Sequence, residues 1–140
     1  MGVEENKVTL RYKHVEELFN KGNLSIADEI ISPNYVYHSP AGEYKGPEGV
    51  KQMVQAWRDA FPDGRFVIDD MVGEGDKVAV RYTMTGTHKG DYMGIPPTGK
   101  HVNITAAFFY SFENGKEVEA LPFSDSLSLF QQLGISPPSG

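Results

Sequence analysis

An α+β fold is predicted for this chain by two observations. Apolar residues in the first third recur at helical spacing, and from Arg65 onward they alternate with period two. Helices first and long meandering strands afterwards put the helices on one face of an antiparallel sheet. No internal repeat, linker or low-complexity stretch divides the 140 residues. A single domain is therefore expected over 1–135, with Ser136-Pro137-Pro138-Ser139-Gly140 as a mobile tail.

Val8, Tyr12, Val15 and Phe19, joined by Leu18, recur at spacings of four, three and four and predict the inward face of a first helix, which Lys21-Gly22 ends. His14 falls on the polar side of that helix and reads as solvated. Asn23 suits the N-cap of a short second helix whose Leu24, Ala27, Ile30 and Ile31 face inward, until Ser32-Pro33 stops it. A brief strand from Tyr35 to His38 follows. Gly46-Pro47 opens the third helix, because proline at the first turn gives up an N–H that has no partner there anyway. Val50, Met53, Val54, Trp57 and Phe61 form its apolar stripe, and Phe61-Pro62-Asp63-Gly64 closes it.

The run from Arg65 to Val72, the turn Gly73-Glu74-Gly75-Asp76, and Val78, Val80, Tyr82 and Met84 read as a hairpin with one buried face. Arg81 falls on the opposite face, towards solvent or a second copy, in a structural ion pair. His101 to Phe112 alternates again, and Glu113-Asn114-Gly115-Lys116 turns into a last strand ending near Phe123.

Composition excludes several roles. The hydrophobic share of 39% marks a globular chain, and the absence of cysteine removes disulfides, thiolate metal sites, cysteine nucleophiles and redox chemistry by the protein. A net charge of −6 with no basic run argues against nucleic acid, where clustered Lys and Arg supply most of the affinity. No apolar run reaches the roughly 20 residues of a membrane span. The opening Met1-Gly2-Val3-Glu4-Glu5-Asn6-Lys7 lacks the apolar stretch of a signal peptide, so a cytoplasmic location is expected.

The segment from Gly86-Thr87-His88-Lys89-Gly90 through Gly94-Ile95-Pro96-Pro97-Thr98-Gly99-Lys100 is the most specific element of the chain. Together with Gly115-Lys116-Glu117-Val118-Glu119 and Asp125-Ser126-Leu127-Ser128-Leu129-Phe130-Gln131-Gln132-Leu133-Gly134, it resembles the SnoaL-like polyketide cyclases, a branch of the nuclear transport factor-like superfamily. Asn34-Tyr35-Val36-Tyr37-His38, Gly46-Pro47-Glu48-Gly49 and Phe61-Pro62-Asp63 extend the likeness over nearly the whole length. The resemblance implies a cone-shaped barrel: three N-terminal helices packed on a strongly curved, mostly antiparallel sheet, with an apolar pocket at the open end. It also implies a homodimer formed through the sheet.

Its functional implication is a protein that binds an apolar, carbonyl-bearing small molecule. The reaction is a ring closure by intramolecular aldol condensation or a related isomerisation, by acid/base proton transfer with no metal or cofactor. The cyclases place a tryptophan and then an aspartate at the end of the last strand, and these positions fall on Leu121 and Pro122, neither of which transfers a proton. A second pattern within the family, with the acidic residue four places after the tryptophan, falls on Asp125. Asp125 is thus the candidate general acid/base, and the alternative is that it caps the closing helical turn. His38, at the end of the first strand, is a second candidate, able to orient a carboxylate or donate to a carbonyl oxygen; the alternative is a histidine bonded to backbone.

Tyr35, Trp57, Phe61, Phe108, Tyr110, Leu121 and Phe123 are the candidate substrate-binding residues, against core packing for each. His38, His88 and His101 show no HxxxH or HxH spacing and do not read as a metal site. Gly99-Lys100 is not a phosphate loop, because no helix follows it. The stretch Lys89 to Lys100 reads instead as a hairpin connection at the mouth of the cone, with Tyr92, Met93 and Ile95 as lid or dimer contact. Two other readings of the same fold are a non-catalytic ligand-binding or dimerisation module, and a hydratase, dehydratase or epoxide hydrolase in which Asn103 and Asp69 or Asp70 converge.

Overall fold

In the computed structural model, residues 2–39 and 42–135 are described; the expected C-terminal tail lies outside them. Helix α1 (Val3–Val8) continues directly into a π-helix over Thr9–Asn20. After α2 (Ile26–Ile30) come β1 (Ile31–Ser39), β2 (Gly42–Lys45) and α3 (Gly46–Ala60). The chain ends with β3 (Arg65–Glu74), β4 (Lys77–Thr87), β5 (His101–Glu113), β6 (Lys116–Ser124) and α4 (Ser126–Leu133). The strands form one sheet in the order β2-β1-β6-β5-β4-β3, antiparallel throughout except for the parallel β1–β6 pair. The fold is α+β, as expected. No helix among the described residues is long and apolar enough to cross a membrane.

The first helix departs from its expected face. Val8 and Tyr12 are exposed, whereas Leu10, His14, Val15 and Leu18 are buried. The reason is the winding: π-helical bonding reaches one residue further than α-helical bonding and takes more residues per turn. That rotation brings Leu10, His14 and Val15 to one side and turns Tyr12 outward. Asn23 does not cap α2; its side chain accepts from Ser25 Oγ at 2.8 Å, and Ser25 occupies the N-cap. The strand after it begins at Ile31 instead of Tyr35, running through Pro33 with an irregular register against β6.

Helix α3 carries Pro47 in its first turn and buries Val50, Val54 and Trp57, as its stripe predicts. Near its end, Arg58 Nη1 donates to the carbonyls of Phe19 and Asn20 at 3.0 and 2.8 Å, satisfying acceptors left open at the end of the π-helix. The helices pack against the inner sheet residues Val78, Val80, Tyr82, Met84, Val102, Ile104, Ala106, Tyr110 and Phe112. Two-residue turns close the β3–β4 and β5–β6 hairpins; in the latter Asn114 and Gly115 both have positive φ, 53° and 78°, which matches the strand twist.

Two β-bulges shape the sheet. Ile68 pairs with Tyr82 and Asp70 with Arg81, leaving Asp69 as the extra residue of β3. On β6, Ser111 pairs with Glu119 and Phe112 with Glu117, so Val118 is extra. A bulge bends its strand and moves the following side chains to the other face. Ala120 and Glu117 are thereby both buried, though strict alternation would place them on opposite faces.

Candidate functional site

Between the helices and the inner sheet face lies an open cavity of about 690 Å³. Its wall is mostly aromatic: Phe19 from the π-helix, Tyr35 and Tyr37 from β1, Trp57 from α3, Phe66 from β3, and Phe108 and Tyr110 from β5. Trp57 packs edge-on to Phe66 at 5.0 Å, and Phe108 stacks near Tyr110 at 5.9 Å, so these rings hold each other in place. At the mouth, Asp91, Tyr92, Met93 and Gly94 of the 88–100 connection complete the lining, where the sequence places a lid. That connection is tied to the end of α3: the N–H groups of Lys89 and Gly90 donate to the Ala60 carbonyl at 2.9 and 3.1 Å. A Cβ on Gly90 would collide with the Asp59 carbonyl, so glycine is required for this approach.

The floor is polar. His14 lines the cavity, and its Nδ1 lies 2.8 Å from Oε2 of Glu117, a carboxylate with 0% exposure. His14 stacks on Phe19 with ring centroids 5.2 Å apart and meets the edge of Tyr110 at 5.3 Å. Tyr82 and Tyr110 join hydroxyl to hydroxyl at 2.9 Å. Burial pushes the Tyr35, Tyr82 and Tyr110 phenols well above their usual range, and the nearby Glu117 charge adds to this in each case. Burial likewise raises Tyr37 and Tyr92. At neutral pH the walls therefore present O–H donors to any carbonyl oxygen that enters.

His14 was expected to be solvated, and this is corrected: it is buried. The sequence did hold a hint, the four-residue row Leu10, His14, Leu18. For Glu117 it held none, since only the bulge at Val118 turns it inward.

The candidate residues divide. Tyr35, Trp57, Phe108 and Tyr110 line the cavity together. Phe61 does not: with 0% exposure it sits in the core, between Trp57 at 4.5 Å and His88 at 5.5 Å. Leu121 and Phe123 also lie outside the lining; β6 alternates Ala120 and Pro122 inward, opposite Tyr110 and Phe108, which turns both large residues to the exposed outer face. There Phe123 meets Phe109 edge-on at 5.8 Å. Asp125 is exposed and is the N-cap of α4, its Oδ1 accepting the Ser128 N–H at 3.0 Å.

His38 is displaced from the cavity by the same alternation. Tyr37 takes the inner face of β1, and His38 turns outward to Glu119 at 3.1 Å and Glu43 at 3.2 Å. His88 is buried at the base of the mouth loop, where its Nδ1 accepts the Thr98 N–H at 3.2 Å. His101 lies beside Thr87 at 3.4 Å. Among the described residues no group of three or more His, Asp or Glu side chains is placed to hold a metal ion. Arg81 is exposed and pairs with Asp69 at 3.8 Å, the structural role expected of it. Asp69, Asp70 and Asn103 are all exposed and absent from the cavity lining, so they do not converge there.

Comparison with known proteins supplies the context. Aklanonic acid methyl ester cyclase DauD from Streptomyces sp. (strain C5) is 25% identical over 133 residues, covering 91% of this chain and 81% of that protein. Aklanonic acid methyl ester cyclase DnrD from Streptomyces peucetius is also 25% identical, covering 91% and 90%. The solved structure of TsrD from Streptomyces laurentii superposes with a TM-score of 0.88 at 27% identity, covering 97% of this chain and 99% of that one. The family model for SnoaL-like polyketide cyclase matches residues 9–133. Cone, cavity and sequence agree, and the chain belongs to the SnoaL-like polyketide cyclase family.

Proposed function

We propose that this protein takes an apolar, carbonyl-bearing small molecule into the cavity and closes a ring in it by an intramolecular aldol reaction. A related isomerisation shares the same first proton transfer. The observation that carries this reading is the pairing of an aromatic wall with a floor of phenols and an imidazole. Apolar walls favour a ring-bearing ligand and fold it so that its reacting carbons meet. Protonated phenols favour the oxygen on which negative charge develops. The names of the cyclases DauD and DnrD make aklanonic acid methyl ester the first substrate to try.

Ring closure by aldol addition leaves the mass unchanged, so the expected result is a product of equal mass and altered retention. Trp57, the single tryptophan, lines the cavity, and its fluorescence should change on binding. If neither aklanonic acid methyl ester nor a simple aryl ketone such as 2-tetralone perturbs Trp57, the reading fails. Binding without any turnover would favour a second reading, a non-catalytic binding module. Pro122 is the observation behind that alternative, since it faces inward where the resemblance places an aspartate.

The proposal includes a homodimer formed through the outer sheet face. Phe109 and Phe123 there are 51% and 62% exposed beside Leu121 at 38%, a contiguous apolar area that a second copy would cover.

A further inference from the structure

We propose that His14, held in place by Glu117, is the proton-transferring residue of this cavity, with the Tyr110 hydroxyl donating to the substrate oxygen that gains charge. The inference rests on the reading of the cavity as a site for carbonyl-bearing ligands.

A carboxylate with 0% exposure is costly to keep, and replacing a buried ion pair by apolar side chains is often neutral or stabilising. Packing alone therefore gives little reason for Glu117. Its partner among the described residues is His14, and its second oxygen, Oε1, has no hydrogen bond. The other groups that face the pair are neutral phenols: Tyr35 from β1, Tyr82 from β4 and Tyr110 from β5. The pair also does not stop at the core, because the imidazole forms part of the cavity wall.

With Glu117 as the carboxylate, the contact assigns the tautomer. Glu117 accepts the Nδ1–H, so in the neutral ring the lone pair lies on Nε2, at the opposite edge. Phe19 on one face and Tyr110 at the edge hold the ring plane, and Nε2 makes no hydrogen bond among the described residues. These are the features of a base aimed by its neighbours. Tyr82 can donate to Tyr110 across their 2.9 Å contact, which leaves the Tyr110 proton for the ligand.

The step balances within the substrate. Nε2 takes a proton from a carbon flanked by carbonyl, and the C–H electron pair moves into the carbonyl to give an enolate hydrogen-bonded by Tyr110. The enolate carbon then bonds to a second carbonyl carbon, and the alkoxide formed takes the proton back from Nε2. Substrate and product are isomers, and His14 ends as it began.

The test uses 2-tetralone, whose α-hydrogens exchange with deuterium by the same first step. Exchange in D2O is followed by NMR, and binding by Trp57 fluorescence. Wild type should bind the ketone and exchange it faster than buffer. His14→Gln should still bind and should lose roughly 100-fold or more of the exchange rate, a typical loss for removing a general base. Glu117→Gln, which can still accept from Nδ1 but without charge, should lose less. A His14→Leu/Glu117→Leu double variant replaces the pair by apolar groups and keeps the test valid should either single variant fold poorly. It should fold, bind and not exchange. Unchanged exchange in any folded His14 variant, or wild-type binding with no acceleration, overturns the dyad while leaving the binding reading intact. Failure of wild type to bind either 2-tetralone or aklanonic acid methyl ester overturns the cavity reading and the dyad with it.

Discussion

Asn20 grips both backbone groups of Phe66: its Nδ2 donates to the Phe66 carbonyl at 3.0 Å, and its Oδ1 accepts the Phe66 N–H at 2.8 Å. This joint ties the end of the π-helix to the start of β3, and Phe66 in turn walls the cavity. Asn20→Ala leaves two part-buried backbone groups unpaired and should cost about 1–3 kcal/mol in urea unfolding. Because Phe66 loses its anchor, affinity for 2-tetralone should fall as well.

Asp125 offers a clean separation of cap from catalyst. Asp125→Ala should lose about 0.5–2 kcal/mol of stability, while Asp125→Asn, an equally good cap, should lose almost none. Neither should alter 2-tetralone exchange. Exchange abolished in a fully folded Asp125→Asn would instead return the acid/base role to this residue.

The outer face should respond to charge. Phe109→Glu or Phe123→Glu places a carboxylate within the proposed dimer contact, where pairing would desolvate it twice over. Light scattering behind size exclusion should show a dimer for wild type and a monomer for either variant, with 2-tetralone still bound. A wild-type monomer at working concentration would end the dimer proposal.

Alkaline titration should reveal the buried phenols. Tyr35, Tyr37, Tyr82, Tyr92 and Tyr110 have folded pKa values raised above the ordinary 10.0, so the fold favours their neutral form. Their contribution to stability is complete below the unfolded value and is lost as pH rises towards the folded values. Phenolate absorbance of these residues should therefore appear together with loss of near-UV circular dichroism. If their absorbance rises at pH 10 with the fold intact, they are open to solvent.

Much of the fold was legible because its elements obey their periods. Helix α3 had Pro47 at its start and an unbroken stripe, and β4 and β5 alternate without interruption, so residue spacing alone located them. The site was less legible, since it depends on places where the periods fail. The π-helix that buries His14 and the one-residue bulge that buries Glu117 are departures from the regular periods, and neither leaves a mark in composition. His38 shows the converse: its surroundings in sequence matched the family, yet one step of strand alternation put it outside.

The bulge at Val118 has a consequence for how this fold can change. Glu117 and Glu119 stand two places apart on one strand, a spacing that would ordinarily give them a shared environment. With Val118 interposed, Glu117 meets His14 in the interior and Glu119 meets His38 outside. Each acidic residue thus has a histidine partner of its own, one in the interior and one on the surface. A slip of register by one residue would do the opposite, withdrawing Glu117 from His14 and setting Val118 against the imidazole in its place. In such a lineage the proposed proton transfer would be lost with every cavity-lining residue unchanged.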